Sequence, residues 1–260
     1  MIIAQISDSH IDPESDRLYD RLNDLRCVVD DLNNLDPAPD IVIHTGDVVH
    51  NGSQEKYDLA LTILGDLRVP LYACAGNRDD RDLIPKNFQT GSHAEPDSGF
   101  LQYSINDYPV RLIALDTLCA TSNMGDYCVA RADELNRILA EEPHQPTVLF
   151  MHHPPFEIVE SLYPFQFDDW HTVEHLVRVL AQHNQVKQLF CGHTHRLSRG
   201  TIHGIAASTV PSIAVDLRFG ELPAGTQLQP VYQLHTFDGK GFNSTTMVCS
   251  TKEQAGLSGR

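Results

Sequence analysis

The chain is 260 residues long, with 41% hydrophobic and 21% charged residues. That balance excludes a disordered chain, and a chain of this length buries a core without disulfides or a structural metal. Thirty-five acidic residues against 19 basic ones leave a formal charge of -16, a field that repels phosphate backbones and excludes non-specific binding to a nucleic-acid polymer.

No apolar run approaches the roughly 20 residues that span a bilayer, so no membrane segment is expected. Nor does a basic and apolar leader precede the first strand, which makes the cytoplasm the expected compartment. The six cysteines form no CxxC pair, and Cys74, Cys191 and Cys249 fall in apolar runs as small buried residues. The 14 histidines nearly match the Lys plus Arg count, and many acids with many histidines suit a protein that gathers cations.

In chain order, residues 2–7 read as a short apolar strand. Leu18, Leu22, Leu25, Val28, Val29, Leu32 and Leu35 then follow helical spacing until Pro37 and Pro39 stop it. A strand at 41–45 precedes a second helix marked by Tyr57, Ala60, Leu61, Leu64 and Leu67, with Ser53 as its N-cap; a third strand covers 71–75. Residues 100–105 and 110–115 flank the turn Asn106-Asp107-Tyr108-Pro109 and predict an antiparallel hairpin. Helix 130–140, strand 148–151, helix 173–180 and strand 186–191 follow. Beyond His195 the chain turns β-rich, with strands expected at 201–207, 212–215, 231–236 and 245–249.

Strands alternating with helices, then a run of strands, predict two packed sheets with helices outside. One domain is expected over 1–250, with a projecting hairpin near 220–241 and a loose tail at 251–260.

The chemistry-bearing residues fall directly after strands. Asp8 and His10 follow the first, Asp47 the second through Gly46, and Asn77 the third through Gly76. His152 and His153 follow strand 148–151, and His193 and His195 follow 186–191 through Gly192. Ligand sites in such sheets gather at strand carboxyl ends, so five loops could converge. Each cluster alone also reads as turn chemistry; all five in strand-end register point to a metal centre. Carboxylate oxygen and imidazole nitrogen suit Zn, Mn, Co or Fe. Seven donors exceed one tetrahedral site, whereas two ions sharing a bridging carboxylate would use them all.

With these blocks in order (Asp8-Ser9-His10, Gly46-Asp47-Val48-Val49, Gly76-Asn77-Arg78-Asp79, His152-His153-Pro154-Pro155 and Gly192-His193-Thr194-His195), the sequence resembles the calcineurin-like metallophosphoesterase superfamily. Within it, the likeness is to bacterial class III cyclic-nucleotide phosphodiesterases and the related glycerophosphodiesterase. The resemblance implies a four-layer α/β/β/α sandwich of two mixed sheets with two divalent ions. Asp8, His10 and His195 would hold one ion, and Asn77, His152 and His193 the other, with Asp47 bridging; His153 would pack or support its neighbour.

The implied reaction is hydrolysis of small phosphodiesters, cyclic nucleotides or glycerophosphodiesters, by in-line attack of a metal-bridging hydroxide. Asp47, Asn77 and Arg78 would act in catalysis. Asn77, Arg78 and His203 would contact substrate, with the segment 211–216 at the pocket's edge and Tyr19, Phe156 and Trp170 as candidate walls. Where the superfamily usually has His after Gly-Asn, this chain has Arg78. A guanidinium cannot act as a general acid, but it can clamp a phosphate oxygen; the alternative is pairing with Asp79, Asp80 or Asp82. A phosphomonoesterase, a nucleotide pyrophosphohydrolase or a metal-dependent scaffold of the same fold are the competing functions, and self-association into a homo-oligomer is expected.

Overall fold

A computed structural model describes residues 1–91, 99–222, 224 and 226–249. Its strands are β1 (Ile2–Ile6), β2 (Ile41–His44), β3 (Leu71–Ala73), β4 (Tyr103–Ile105), β5 (Arg111–Ala114), β6 (Thr147–Met151), β7 (Val186–Cys191), β8 (Arg199–Ile202), β9 (Ile205–Thr209), β10 (Val231–Phe237) and β11 (Phe242–Val248). The helices are α1 (Leu18–Asn33), α2 (Gln54–Leu64), α3 (Ile84–Asn87), α4 (Val129–Glu141) and α5 (Val173–Leu180). Two mixed sheets result, ordered β11-β10-β1-β2-β3 and β4-β5-β6-β7-β9-β8.

Side-chain alternation along the strands sets the layers. In the second sheet, Leu112, Ala114, Val148, Phe150 and Phe190 point into the core shared with the first sheet. Their neighbours Ile113, Leu115, Leu149, Met151, Leu189 and Cys191 point the other way, into a core closed by α4 and α5. In α4, Leu135, Ile138 and Leu139 recur at helical spacing and are fully buried, each such burial stabilising by about 2 kcal/mol. On the first sheet's outer side, α1 and α2 bury Leu25, Val28, Val29, Leu32, Tyr57, Ala60, Ile63 and Leu64. The order helix, sheet, sheet, helix follows. Polar bridges also cross between the sheets: Gln5 Nε2 donates to Cys191 O at 2.9 Å, and Tyr103 Oη to Ala73 O at 2.8 Å.

The strands that carry the strand-end blocks are parallel within their sheets: β1, β2 and β3 in one, β6 and β7 in the other. Their carboxyl ends therefore open toward a common edge. Among the described residues no helix is long and apolar enough to cross a membrane.

Several late elements differ from expectation. The run 201–207 is not one strand. His203 and Gly204 both take positive φ (47° and 76°), closing a tight hairpin between β8 and β9, the geometry of a two-residue turn. Residues 212–215 form no strand; Ser212 and Ile213 are instead bonded to the backbone of Asp8 and Ser7 (2.7 and 3.1 Å), and a 3-10 turn covers Val215–Leu217. Of the segment 220–241, where a projecting hairpin is expected, the part Val231–Phe237 is β10, which enters the first sheet antiparallel to β1, with Ile2 opposite Thr236. The expected tail at 251–260 lies outside the described residues.

Candidate metal centre

Each candidate ligand sits one to four residues beyond a strand, where the backbone leaves its ladder and turns. Five of the seven (Asp8, His10, Asp47, His193 and His195) have φ between 45° and 69°. Left-handed backbone costs a non-glycine residue roughly 1 kcal/mol or more, although Asp, Asn and His tolerate it best. Strain repeated at five polar positions marks a constrained, functional cluster. Parallel pairing continues through these loops, as Asp8 N–H donates to Gly46 O and His10 N–H to Asp47 O, each at 3.0 Å.

The donors converge as two groups. In the first, His195 Nε2 lies 3.3 Å from Asp8 Oδ1 and 3.1 Å from His10 Nε2. In the second, Asn77 Oδ1 lies 3.0 Å from both His152 Nε2 and His193 Nδ1. Asp47 Oδ2 stands between them, 3.4 Å from His10 Nε2 and 3.5 Å from His152 Nε2. Metal–ligand bonds of about 2.1 Å imply donor–donor edges of about 3.4 Å around a tetrahedral ion, so both groups have the right size.

Tautomer logic strengthens the fit. His152 Nδ1 must donate to Thr45 O (2.7 Å), and His195 Nδ1 to Leu217 O (2.9 Å). In the neutral rings both Nε2 atoms then carry bare lone pairs, aimed at carboxylate, amide-oxygen or imidazole acceptors. Acceptors facing acceptors need a proton or a metal ion between them. Asp8 Oδ1 is buried and has no hydrogen-bond partner among the described residues, an expensive state for a carboxylate oxygen unless an ion completes it.

Electrostatics prepare the same chemistry. Burial pushes the Asp8 carboxyl up, but the imidazole of His195 outweighs it and holds the pKa at about 2. Burial lowers His10 to about 4 and, with the neighbouring His152, His193 to about 3. These groups are ionised carboxylate and neutral imidazole at neutral pH, the forms that bind metal. His152 differs: burial opposes its charge, yet Asp47 and Asp8 raise it to about 9. The carboxylates thus demand a positive charge there, which a proton or a metal ion can supply.

The supporting residues are specific. A Cβ on Gly76 would collide with the Asp47 carboxylate and amide, so only glycine lets the two loops touch. Asp79 accepts from the amides of Gly76 (2.9 Å), Val48 and Val49 (both 3.3 Å) and from Tyr57 Oη (3.0 Å), locking two ligand loops together. His153 gives one ring nitrogen to Thr117 Oγ1 (2.8 Å) and the other to Asn123 O (3.1 Å), so it is held beside the candidate ligands.

Above the centre lies a cavity of about 390 Å³ lined by His10, Asp12, Ser15, Arg21, His50, Arg78, His195 and Leu217. Arg78 enters this wall, and among the described residues its guanidinium has no hydrogen bond or ion pair. Pairing with Asp79 does not occur, since that carboxylate is filled by the bonds above, and Asp80 Oδ1 accepts instead from the amides of Asp82 and Leu83 (2.8 and 3.2 Å).

Other expectations need correction. His203 is exposed in the β8–β9 turn; β9 runs parallel to β7 with Thr209 opposite Cys191, so His203 is at the far end of the sheet from the centre. Phe156 is packed in the core against Gly200, and neither it nor Tyr19 lines the cavity. Two lining residues are not evident from the sequence: Arg21, which donates to His10 O (3.0 Å) and holds Asp216 through two bonds (3.2 and 2.9 Å), and His50. Both lie outside any strand-end motif; only the position of His50, three residues past Asp47, gave a signal.

The model of the calcineurin-like phosphoesterase family matches residues 1–197. The chain is 32% identical to a probable glycerophosphodiester phosphodiesterase of Arcobacter nitrofigilis, over 90% of this chain and 88% of that one. It is 30% identical to a probable cyclic nucleotide phosphodiesterase of Rhodopseudomonas palustris, over 86% and 82%. A solved dimetal phosphatase from Danio rerio has the same fold, with a TM-score of 0.67 at 16% identity, covering 96% of this chain and 99% of that one.

Proposed function

Because this chain belongs to the calcineurin-like phosphoesterase family, we propose that its strand-end centre holds two divalent ions (Fe, Mn, Zn or Co) and hydrolyses small phosphodiesters such as glycerophosphodiesters or cyclic nucleotides. The chain is a metal-dependent phosphodiester hydrolase. Asp8, His10 and His195 are assigned to one ion, Asn77, His152 and His193 to the other, and Asp47 to both. The observation that carries this is Asp47 Oδ2, placed within 3.5 Å of a histidine nitrogen from each group. When bound, the ions neutralise phosphoryl charge and lower the pKa of water.

The chain's own residues do the rest. Asp47 is fixed by its second oxygen, Oδ1, which accepts the Arg78 amide at 2.7 Å. Asn77 joins the centre to the loop that delivers Arg78, and both are assigned to substrate contact. Arg78 holds a non-bridging phosphate oxygen by charge and delivers no proton. The acidic net charge of -16 supports a small solute rather than a polymer as substrate, and the reading places the enzyme in the cytoplasm as a homo-oligomer. The deciding experiment offers metal-reconstituted protein cyclic nucleotides, glycerophosphodiesters and the matching monoesters in parallel. A higher kcat/KM on a diester supports the proposal; preference for monoesters would transfer it to the phosphomonoesterase alternative.

Arg78 has its own test. Arg78→Ala and Arg78→His are expected to lose about 10- to 100-fold in kcat/KM, the worth of a charge-assisted hydrogen bond of about 1.5–3 kcal/mol. The loss should be equal for diesters with good and poor leaving groups, measured by initial rates. Equal activity of all three proteins would end this assignment.

A further inference from the structure

Large apolar side chains stand exposed on a loop that Arg196, the residue after candidate ligand His195, holds by a hydrogen bond. Residues 158–164 close a loop on themselves through Ile158 N–H to Pro164 O (2.8 Å) and Ser161 N–H to Ile158 O (3.0 Å), anchored by buried Ile158. The loop and its exit hold Val159, Leu162 and Tyr163 in solvent at 75%, 96% and 71% exposure, with Phe165 beside them at 42%. Single exposed apolar residues are ordinary; a contiguous group marks a contact site.

The group is continuous with the metal centre on two sides. Arg196, the residue after candidate ligand His195, donates to Glu160 O at 2.8 Å and so ties the loop to the ligand segment. Phe219 is 58% exposed, donates its amide to His195 O at 2.9 Å and stacks its ring on the His195 imidazole, 6.1 Å apart and 19° from parallel. From the inner side, Phe165 packs on Trp170 (4.7 Å), Trp170 on Phe167 (6.1 Å), Phe167 on His153 (6.1 Å) and His153 on His193 (4.4 Å). The cavity lining, by contrast, is polar and charged through Asp12, Ser15, Arg21, His50 and Arg78. A phosphate at the centre is thus offered cationic contacts by the cavity and an apolar rim beyond His195.

We propose that Val159, Leu162, Tyr163, Phe165 and Phe219 form the subsite for an apolar ester arm of the diester, so that the enzyme prefers phosphodiesters with one bulky apolar alcohol. This rests on the phosphodiesterase reading and narrows its substrate class. An anionic bilayer is a poorer occupant, because Glu157, Glu160, Asp168 and Asp169 flank the rim and the chain carries -16 overall. A second copy is also a poorer occupant of this rim, because pairing through it would set Glu157, Glu160, Asp168 and Asp169 of one copy against those of the other.

The test compares methyl p-nitrophenyl phosphate with octyl p-nitrophenyl phosphate, below the micellar concentration, on the metal-loaded full chain. Both release p-nitrophenol, so the same bond breaks and only the retained arm differs. The expected result is a kcat/KM at least tenfold higher for the octyl ester. In the double variant Leu162→Ser/Tyr163→Ser, which alters only exposed positions, the octyl-to-methyl ratio should fall at least fivefold. Trp170, the only tryptophan in the chain, gives a readout independent of turnover: octylphosphonate should change its fluorescence in the parent protein and not in the double variant. A ratio near one, a ratio unaffected by the double variant, or a double variant that changes only the sedimenting mass would overturn the proposal. Failure to hydrolyse either ester with the Trp170 response intact would refute the phosphodiesterase reading while upholding the apolar subsite; loss of both would refute the two together.

Discussion

Asp47→Asn abolishes turnover, with kcat on any diester substrate falling at least 1000-fold. The substitution keeps the backbone: Asn tolerates the left-handed conformation found here, with φ 54°. It keeps the side-chain volume as well, so folding is expected to survive. What it removes is the charge of the one oxygen that approaches both donor groups, at 3.4 Å from His10 and 3.5 Å from His152. That charge is also the chief attraction holding His152 in its cationic form near pKa 9. A thousandfold loss corresponds to about 4 kcal/mol, the scale expected when the charge organisation of the proposed metal centre fails. Parallel metal analysis should show fewer bound ions per chain than the parent. Wild-type kcat in a folded Asp47→Asn protein would contradict the assignment.

Gly76→Ala is the second large effect, and it acts without replacing any candidate ligand. The φ of Gly76 lies outside the left-handed region, so alanine adds no backbone strain there. Its Cβ would occupy space already held by the Asp47 carboxylate and amide, so one loop must yield. Yet Asp79 ties the Gly76 amide at 2.9 Å and the Val48 and Val49 amides at 3.3 Å, leaving little room to yield separately. A displacement of about 1 Å at a catalytic group costs on the order of 100-fold in rate. The expected outcome is therefore a loss of at least 100-fold in kcat/KM, with circular dichroism still reporting the native fold. Gly204→Ala makes the opposite comparison. It strains a residue at φ 76° with no neighbour within 4 Å, so it should cost stability and spare activity.

The contrast between those two glycines shows what was legible in the sequence. Gly46, Gly76 and Gly192 stand between an apolar strand and a polar residue, and local pattern was enough to put Asp47, Asn77 and His193 at strand ends. Parallel β1, β2, β3, β6 and β7 then brought all five blocks to one edge. Gly204 is hidden in the sequence because, with His203, it interrupts an apolar run by only two residues, so a hairpin reads as one strand. Past His195 the spacing carried less information. Ser212 and Ile213 satisfy their backbone and hydroxyl groups against Asp8 and Ser7, more than 200 positions away, and no periodicity encodes such a partner. Arg21 is hidden for the same reason, since its pairing with Asp216 joins α1 to the late turn under His195.

Anomalous diffraction from metallated crystals, with metal content measured on the same protein, tests the central claim most directly. The account predicts two ions per chain, one against Asp8, His10 and His195, the other against Asn77, His152 and His193, with Asp47 touching both. A single ion, or ions bound away from these side chains, would contradict it.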